Sequence, residues 1–175
     1  MSTWELDLPV ETERLLLRAH REDDLDDLVV FHGDPAITRY IPWPVRDREQ
    51  TREALARKLD GTRAAAPGEW ITLAVEERAT GTAIGEVLVK REEEGHAEVG
   101  YVIRTDRQGQ GLATEAVTAL LDAVTARFGV RVVDAIVVDG NDASARLLER
   151  LGFVPVAHDL VTPEGEPMTR FRRTQ

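Results

Sequence analysis

Arg104-Thr105-Asp106-Arg107-Gln108-Gly109-Gln110-Gly111-Leu112-Ala113-Thr114 joins two segments of different period. Glu98-Val99-Gly100-Tyr101-Val102-Ile103 before it has the two-residue alternation of a strand, and Ala113 to Phe128 after it has the apolar spacing of an amphipathic helix. Two glycines one residue apart at a strand-to-helix junction leave backbone N–H groups uncovered by side chains. They stand at a helix N-terminus, where the dipole is positive. This combination suits a phosphate or a diphosphate.

The pattern outward from this junction predicts one α/β domain over 1–175. Arg14 to Arg18 reads as a strand, and Glu22 to Phe31 as a helix with Leu25, Leu28 and Val29 on one face, stopped by Gly33-Asp34-Pro35. A loop rich in aromatics and proline, Tyr40-Ile41-Pro42-Trp43-Pro44, follows. Asp47 is placed to cap a helix over Arg48 to Ala65. The period then changes to two. Trp70–Val75, Ile84–Val89 and His96–Ile103 are separated by short turns, which predicts an antiparallel meander. Trp70 is expected in the core. Beyond the junction helix come an apolar strand at Val130 to Val138 and a short helix capped by Asn141 and ended by Gly152. A closing hairpin spans Phe153 to Val161 and Pro167 to Arg172. The order β α α β β β α β α β β fits a mixed sheet flanked by helices.

The 175 residues contain no cysteine, which removes disulfides, thiolate metal sites and a thiol acyl-enzyme. His20, His32, His96 and His158 lack the spacing of metal ligands, so no metal is expected. No apolar run is long enough to span a membrane, and Met1 to Glu5 does not open a signal peptide, so a cytoplasmic protein is expected. The formal net charge of −10 repels nucleic acid and anionic membranes and favours a cationic partner such as an amine.

Three phosphate ligands compete for the junction. A nucleotide P-loop requires a lysine that does not follow these glycines. The dinucleotide fingerprint fails at Thr114, where the third glycine belongs, and the junction lies too late in the chain for that fold. Coenzyme A, whose diphosphate needs a similar nest, is the third.

Gln108-Gly109-Gln110-Gly111-Leu112-Ala113 resembles the Gln/Arg-x-x-Gly-x-Gly/Ala signature of the GNAT superfamily of acyl-CoA-dependent N-acyltransferases. Asn141-Asp142-Ala143-Ser144, running on to Gly152-Phe153, is similar to a second segment of that family. Within the superfamily the chain is most similar to the ribosomal-protein-alanine N-acetyltransferase branch, through Glu13 to Arg18 and Glu98 to Ile103. The resemblance implies a mixed, mostly antiparallel sheet whose central parallel strand pair splays apart. It implies acetyl-CoA as co-substrate and direct transfer in a ternary complex to a primary amine: a protein N-terminus, an aminoglycoside-like antibiotic or a small amine. A non-catalytic acyl-CoA-binding module on the same fold is the alternative. A monomer or a homodimer fits either.

The same resemblance distributes roles. Tyr101, Val102 and Ile103 border the splay and would meet the pantetheine arm. Gln108, Gly109, Gln110, Gly111, Leu112, Ala113 and Thr114 would hold the diphosphate, and Asn141, with Ser144 one turn on, would meet the pantetheine. Glu98 would serve as general base, or would pair with a cation or orient the acceptor without moving a proton, and Ser144 would hydrogen-bond the thiol. Many relatives place a tyrosine as acid where this chain has Leu148. Phe31, Tyr40 and Trp43 fall in the region that covers the acceptor, and Glu86 is a second carboxylate candidate on the preceding strand.

Overall fold

A computed structural model describes residues 3–174; the reading of Met1 and Ser2, and the outermost bounds of the 1–175 domain, lie outside the described residues. In chain order the elements are β1 (Trp4–Glu5), β2 (Val10–Glu11), β3 (Leu15–Arg18), α1 (Leu25–His32), α2 (Pro35–Thr38), α3 (Arg48–Lys58) and β4 (Arg63–Ala64). There follow β5 (Trp70–Glu77), β6 (Thr82–Arg91), β7 (His96–Ile103), α4 (Leu112–Phe128), β8 (Val132–Val138), α5 (Asp142–Arg150), β9 (Val154–Val161) and β10 (Pro167–Thr174). Eight strands form one sheet in the order β2-β3-β5-β6-β7-β8-β10-β9, and β1 pairs with β4 beside it. All neighbours are antiparallel except β7 and β8.

Each face of this sheet has its own cover. Along β7, Val99 and Ile103 join the larger core, to which α4 contributes Ala116, Val117, Leu120, Leu121 and Val124. That i, i+1, i+4, i+5, i+8 spacing is a helical stripe. Val102 points the other way, into a smaller core with Leu28 and Phe31 of α1, Ile37 of α2 and Leu55 of α3. The two-residue alternation of β7 therefore serves two cores at once.

Several sequence expectations are corrected. The helix opening at Asp47 has the expected cap, with a reciprocal box to Gln50, but it ends at Lys58 rather than Ala65. Asp60-Gly61 turns the chain back, the Gly61 N–H bonding the Lys58 carbonyl at 2.9 Å, and Arg63–Ala64 pairs with β1. Trp70 is 38% exposed, its ring beneath the Lys90 ammonium, and is not a core residue. Trp4 takes a core place, stacked on Phe128 with ring centroids 4.5 Å apart. Glu22–Asp24 forms a 3-10 turn ahead of α1, pinned by Asp24, which accepts two hydrogen bonds from the buried Arg18 guanidinium. The short helix α2, with Asp34 as cap and Pro35 in its first turn, lies in what the pattern reads as loop.

Candidate active site

β7 and β8 pair over three positions only: His96 with Val132, Ala97 with Val133, and Glu98 with Asp134. Beyond Glu98 the strands part. β8 stays paired with β10 along its whole length, so the split falls entirely on the β7 side. A cavity of about 590 Å³ occupies the opening. Tyr101, Val102 and Ile103 line it, as do residues of α2, of the junction loop, and of α5. Because Val102 belongs to one core and Ile103 to the other, the cavity connects both faces of the sheet.

The junction loop is shaped by its glycines and held from outside. Gly109 and Gly111 have φ of +73° and +77°, a left-handed region that a side chain rarely tolerates. Gly111 is the N-cap of α4 and supplies no capping side chain, so the first-turn N–H groups at Leu112, Ala113 and Thr114 have no cap of their own. Arg14 reaches across to donate to the Gln110 carbonyl at 2.9 Å and pairs with Glu115 at 2.7 Å. The Gln108 side chain turns inward and donates to the Ile103 carbonyl at 2.9 Å, closing the strand end.

Across the cavity, Asn141 caps α5 by accepting from the Ser144 N–H at 3.3 Å. Both residues line the cavity. The Tyr101 hydroxyl donates to the Ser144 carbonyl at 3.2 Å, and burial pushes this phenol up to about 12, so it is a donor at neutral pH. Leu148 is fully buried in the larger core and presents nothing to the cavity.

Glu98 does not line the cavity. It occupies the last paired position of β7, at the apex of the split, four residues and about 13 Å along the strand from Val102. Gly100 is the one residue between them on that face; it contributes no side chain, and Leu88 of β6 lies beside it. Burial raises the Glu98 carboxyl above the usual carboxylate range, against the pull of Lys90 on the neighbouring strand. No hydrogen bond or ion pair to its carboxylate is found among the described residues.

The expected acceptor residues separate. Tyr40 lines the cavity, its hydroxyl 3.4 Å from the Gly140 carbonyl. Phe31 is fully buried in the smaller core. Trp43 lies over the Arg46 guanidinium, away from the cavity lining. Glu86 is fully buried on β6, opposite Val102 of β7. Its Oε1 meets His20 Nε2 at 2.9 Å and Lys58 Nζ at 2.5 Å, and His32 lies 3.7 Å from Oε2. Burial would raise this carboxyl, but Lys58 with the two histidines holds it well below the usual range. Burial lowers His32 despite the carboxylate, keeping that ring toward its neutral form. Sequence reasoning missed Ile37 and Ile41 at the acceptor end and Arg107, Arg146 and Arg150 elsewhere in the lining. The last two stand four apart on α5, a spacing that marks one helix face. Among the described residues no group of side chains is placed to hold a metal ion, and no helix is long and apolar enough to cross a membrane.

The fold is shared with solved acetyltransferases. A GNAT-family acetyltransferase from Bacillus anthracis superposes with a TM-score of 0.83 over 95% of this chain and 98% of its own, at 20% identity. A ribosomal L7/L12 alpha-N-protein acetyltransferase, solved in complex with coenzyme A, superposes with a TM-score of 0.76 over 95% of this chain and 97% of its own, also at 20% identity. Residues 14–154 match the model of the acetyltransferase (GNAT) domain, and the chain belongs to that family. It is 30% identical over 145 residues to the uncharacterized N-acetyltransferase p20 of Bacillus licheniformis, covering 81% of this chain and 80% of that protein. The protein is thus an N-acetyltransferase of a family that uses acetyl-CoA.

Proposed function

We propose that the protein transfers the acetyl group of acetyl-CoA directly to a primary amine, both substrates bound at once across the split in the sheet. The observation that carries this reading is the single cavity running from the glycine junction through the gap to the aromatic and aliphatic wall of α2. A donor entering from one face and an acceptor from the other would meet there, which replaces a covalent enzyme intermediate by proximity.

On the donor side, uncovered N–H groups from Gly109 to Thr114 hold the diphosphate. The free edge of β7 beyond Glu98 pairs with the amides of the pantetheine arm, and one of its N–H groups near Val102 or Ile103 faces the developing oxyanion. The Glu98 carboxylate, made more basic by burial, takes the proton of the attacking amine through water past Gly100. The nitrogen–carbon bond forms first, giving the tetrahedral oxyanion, and its collapse breaks the carbon–sulfur bond and releases the thiolate. Ser144 donates to the leaving thiolate, and the Tyr101 phenol beside it becomes a second donor if it turns from the Ser144 carbonyl.

Ile37, Tyr40 and Ile41 border the acceptor end. The net charge of −10 favours a cationic amine. A protein N-terminus, as for the neighbour that acts on L7/L12, an aminoglycoside-like antibiotic and a small amine all satisfy these features. The buried Leu148, which leaves α5 without a phenol, supports a second reading as a non-catalytic acyl-CoA-binding module.

Glu98→Gln tests the first reading. Turnover falls about 100-fold, the scale of general base catalysis, while coenzyme affinity holds. The acid limb of kcat/KM lies above the ordinary carboxylate range in the native enzyme and is lost in the variant, because activity needs the deprotonated form. An unchanged pH profile overturns the base role. Tight acetyl-CoA binding with no free coenzyme A released by any amine in a panel favours the binding module.

A further inference from the structure

Three arginines line the cavity, and they are not equivalent. Arg107 is engaged, with Asp106 and Glu77 both 3.5 Å away. Arg146 and Arg150 are exposed, and no hydrogen bond or ion pair to either guanidinium is found among the described residues. They lie one turn apart on α5, about 6 Å along its axis. Asp142 stands one turn before Arg146, at a spacing and in an order that pair readily on a helix, yet the two do not pair. In a chain with 32 acidic and 22 basic side chains, two arginines without a carboxylate on a cavity wall are conspicuous. Both line the cavity, and the Arg150 charge is felt at the buried Tyr101 hydroxyl, which lines it too.

The wall they face already has an anion site. The glycine junction and the first turn of α4 offer backbone N–H groups, which suffice for a diphosphate that needs no side-chain cation. Coenzyme A carries one more phosphate, a monoester on the ribose. A monoester bears close to two negative charges at neutral pH, and forked guanidinium groups match its oxygens. Backbone amides on α4 for the diphosphate and paired guanidinium groups on α5 for the monoester divide the three phosphates between the two helices.

We propose that Arg146 and Arg150 form the site for the ribose 3′-phosphate of coenzyme A, so that the enzyme distinguishes acetyl-CoA from its 3′-dephospho form. This rests on the acetyl-CoA reading above and adds to it a selection against donors that lack the monoester.

Calorimetry with acetyl-CoA and 3′-dephospho-acetyl-CoA, on the native protein and on Arg146→Gln and Arg150→Gln, tests it. The native protein binds acetyl-CoA at least about tenfold more tightly than the dephospho form, the scale of a charge-assisted contact. Each variant loses about tenfold for acetyl-CoA and nothing for the dephospho form, so the preference collapses. Both side chains are exposed, and thermal midpoints report that the variants stay folded. Equal losses for both ligands would put the arginines on the diphosphate and overturn the proposal. Unchanged affinities would also overturn it, leaving them as solvated surface charge. Native protein that binds the two forms equally refutes the site while the acetyl-CoA reading stands, and native protein that binds neither removes the reading itself.

Discussion

The two sides of the cavity are built by different means. The proposed donor side is backbone: seven consecutive residues, Gln108 to Thr114, whose usefulness comes from two left-handed glycines and an uncapped helix start. The proposed acceptor side is side chains, on the face of the sheet that also buries a charge cluster. There Glu86 of β6 holds His20, from 66 residues away, and Lys58 of α3, from 28 away. A site made of backbone is written in one stretch of sequence and varies little with its surroundings. A face held by long-range pairs can change shape with any one of its members, and this is the side that must fit a particular amine.

The contrast predicts that the acceptor side is the more fragile. Glu86→Ala leaves the Lys58 ammonium in a place where burial already depresses it, facing two imidazoles with no carboxylate. Breaking a buried pair in this way costs about 3–5 kcal/mol of stability, read from urea unfolding. The pH dependence has a definite sign. The folded Glu86 carboxyl lies below its unfolded value, so its stabilisation is complete above the ordinary carboxylate range and is lost as pH falls through the folded value. The gap between the native protein and Glu86→Gln therefore narrows in acid. An unchanged unfolding midpoint for Glu86→Ala at neutral pH would remove the contrast.

The donor side should instead fail in binding while the fold survives. Gly111→Asp places a side chain at φ +77° and a carboxylate where the diphosphate is proposed to sit. A loss of about 100-fold or more in acetyl-CoA affinity is expected by calorimetry, from backbone strain and charge repulsion together. Normal binding would show that the nest lies elsewhere.

The same contrast explains what the sequence disclosed. The α4 stripe, the alternation of β5 to β7, and the caps at Asp47 and Asn141 depend on neighbours within a turn or a strand, and each is legible residue by residue. The two glycines are legible for the same reason. The end of α3 at Lys58 was not: alanines resume at Ala64 to Ala66, but Asp60-Gly61 turns the chain first and Ala64 pairs with Trp4 in a strand. Nor was the role of Glu86, an alternating position in a strand. Only the folded arrangement brings Lys58, His20 and His32 to one carboxylate and so buries a residue expected to meet substrate within a charge cluster. Trp70 was misjudged on composition: it opens β5, where Lys90 covers one side of the ring and solvent meets the rest.

One position couples the two sides. A methyl group on Gly85 would sit 2.1 Å from the Val102 carbonyl oxygen and 3.0 Å from Ile103 Cα. Neither contact can be relieved by a rotamer change, since both atoms are backbone. Gly85→Ala should therefore push the end of β7 into the gap. The expected result is about 1–3 kcal/mol of lost stability, the range for overpacking, with a rise in KM for both substrates. A rise confined to one substrate would show that the two sides are less coupled than the shared strand implies.

The smallest effect is expected at Ser144. Its backbone N–H satisfies the Asn141 cap, and its carbonyl receives the Tyr101 hydroxyl. Both groups survive in Ser144→Ala, and alanine favours the helix at least as well. Stability should hold within about 0.5 kcal/mol, so a change in rate isolates the hydroxyl. If that hydroxyl donates to the departing thiolate, kcat falls about tenfold, the low end of the worth of a hydrogen bond to a charged group. The deficit should shrink with an acyl donor whose thiol is more acidic, because a better leaving group needs less help. If kcat is unchanged with every donor, Tyr101 is left as the only side-chain donor proposed for the thiolate, and Tyr101→Phe becomes the decisive variant.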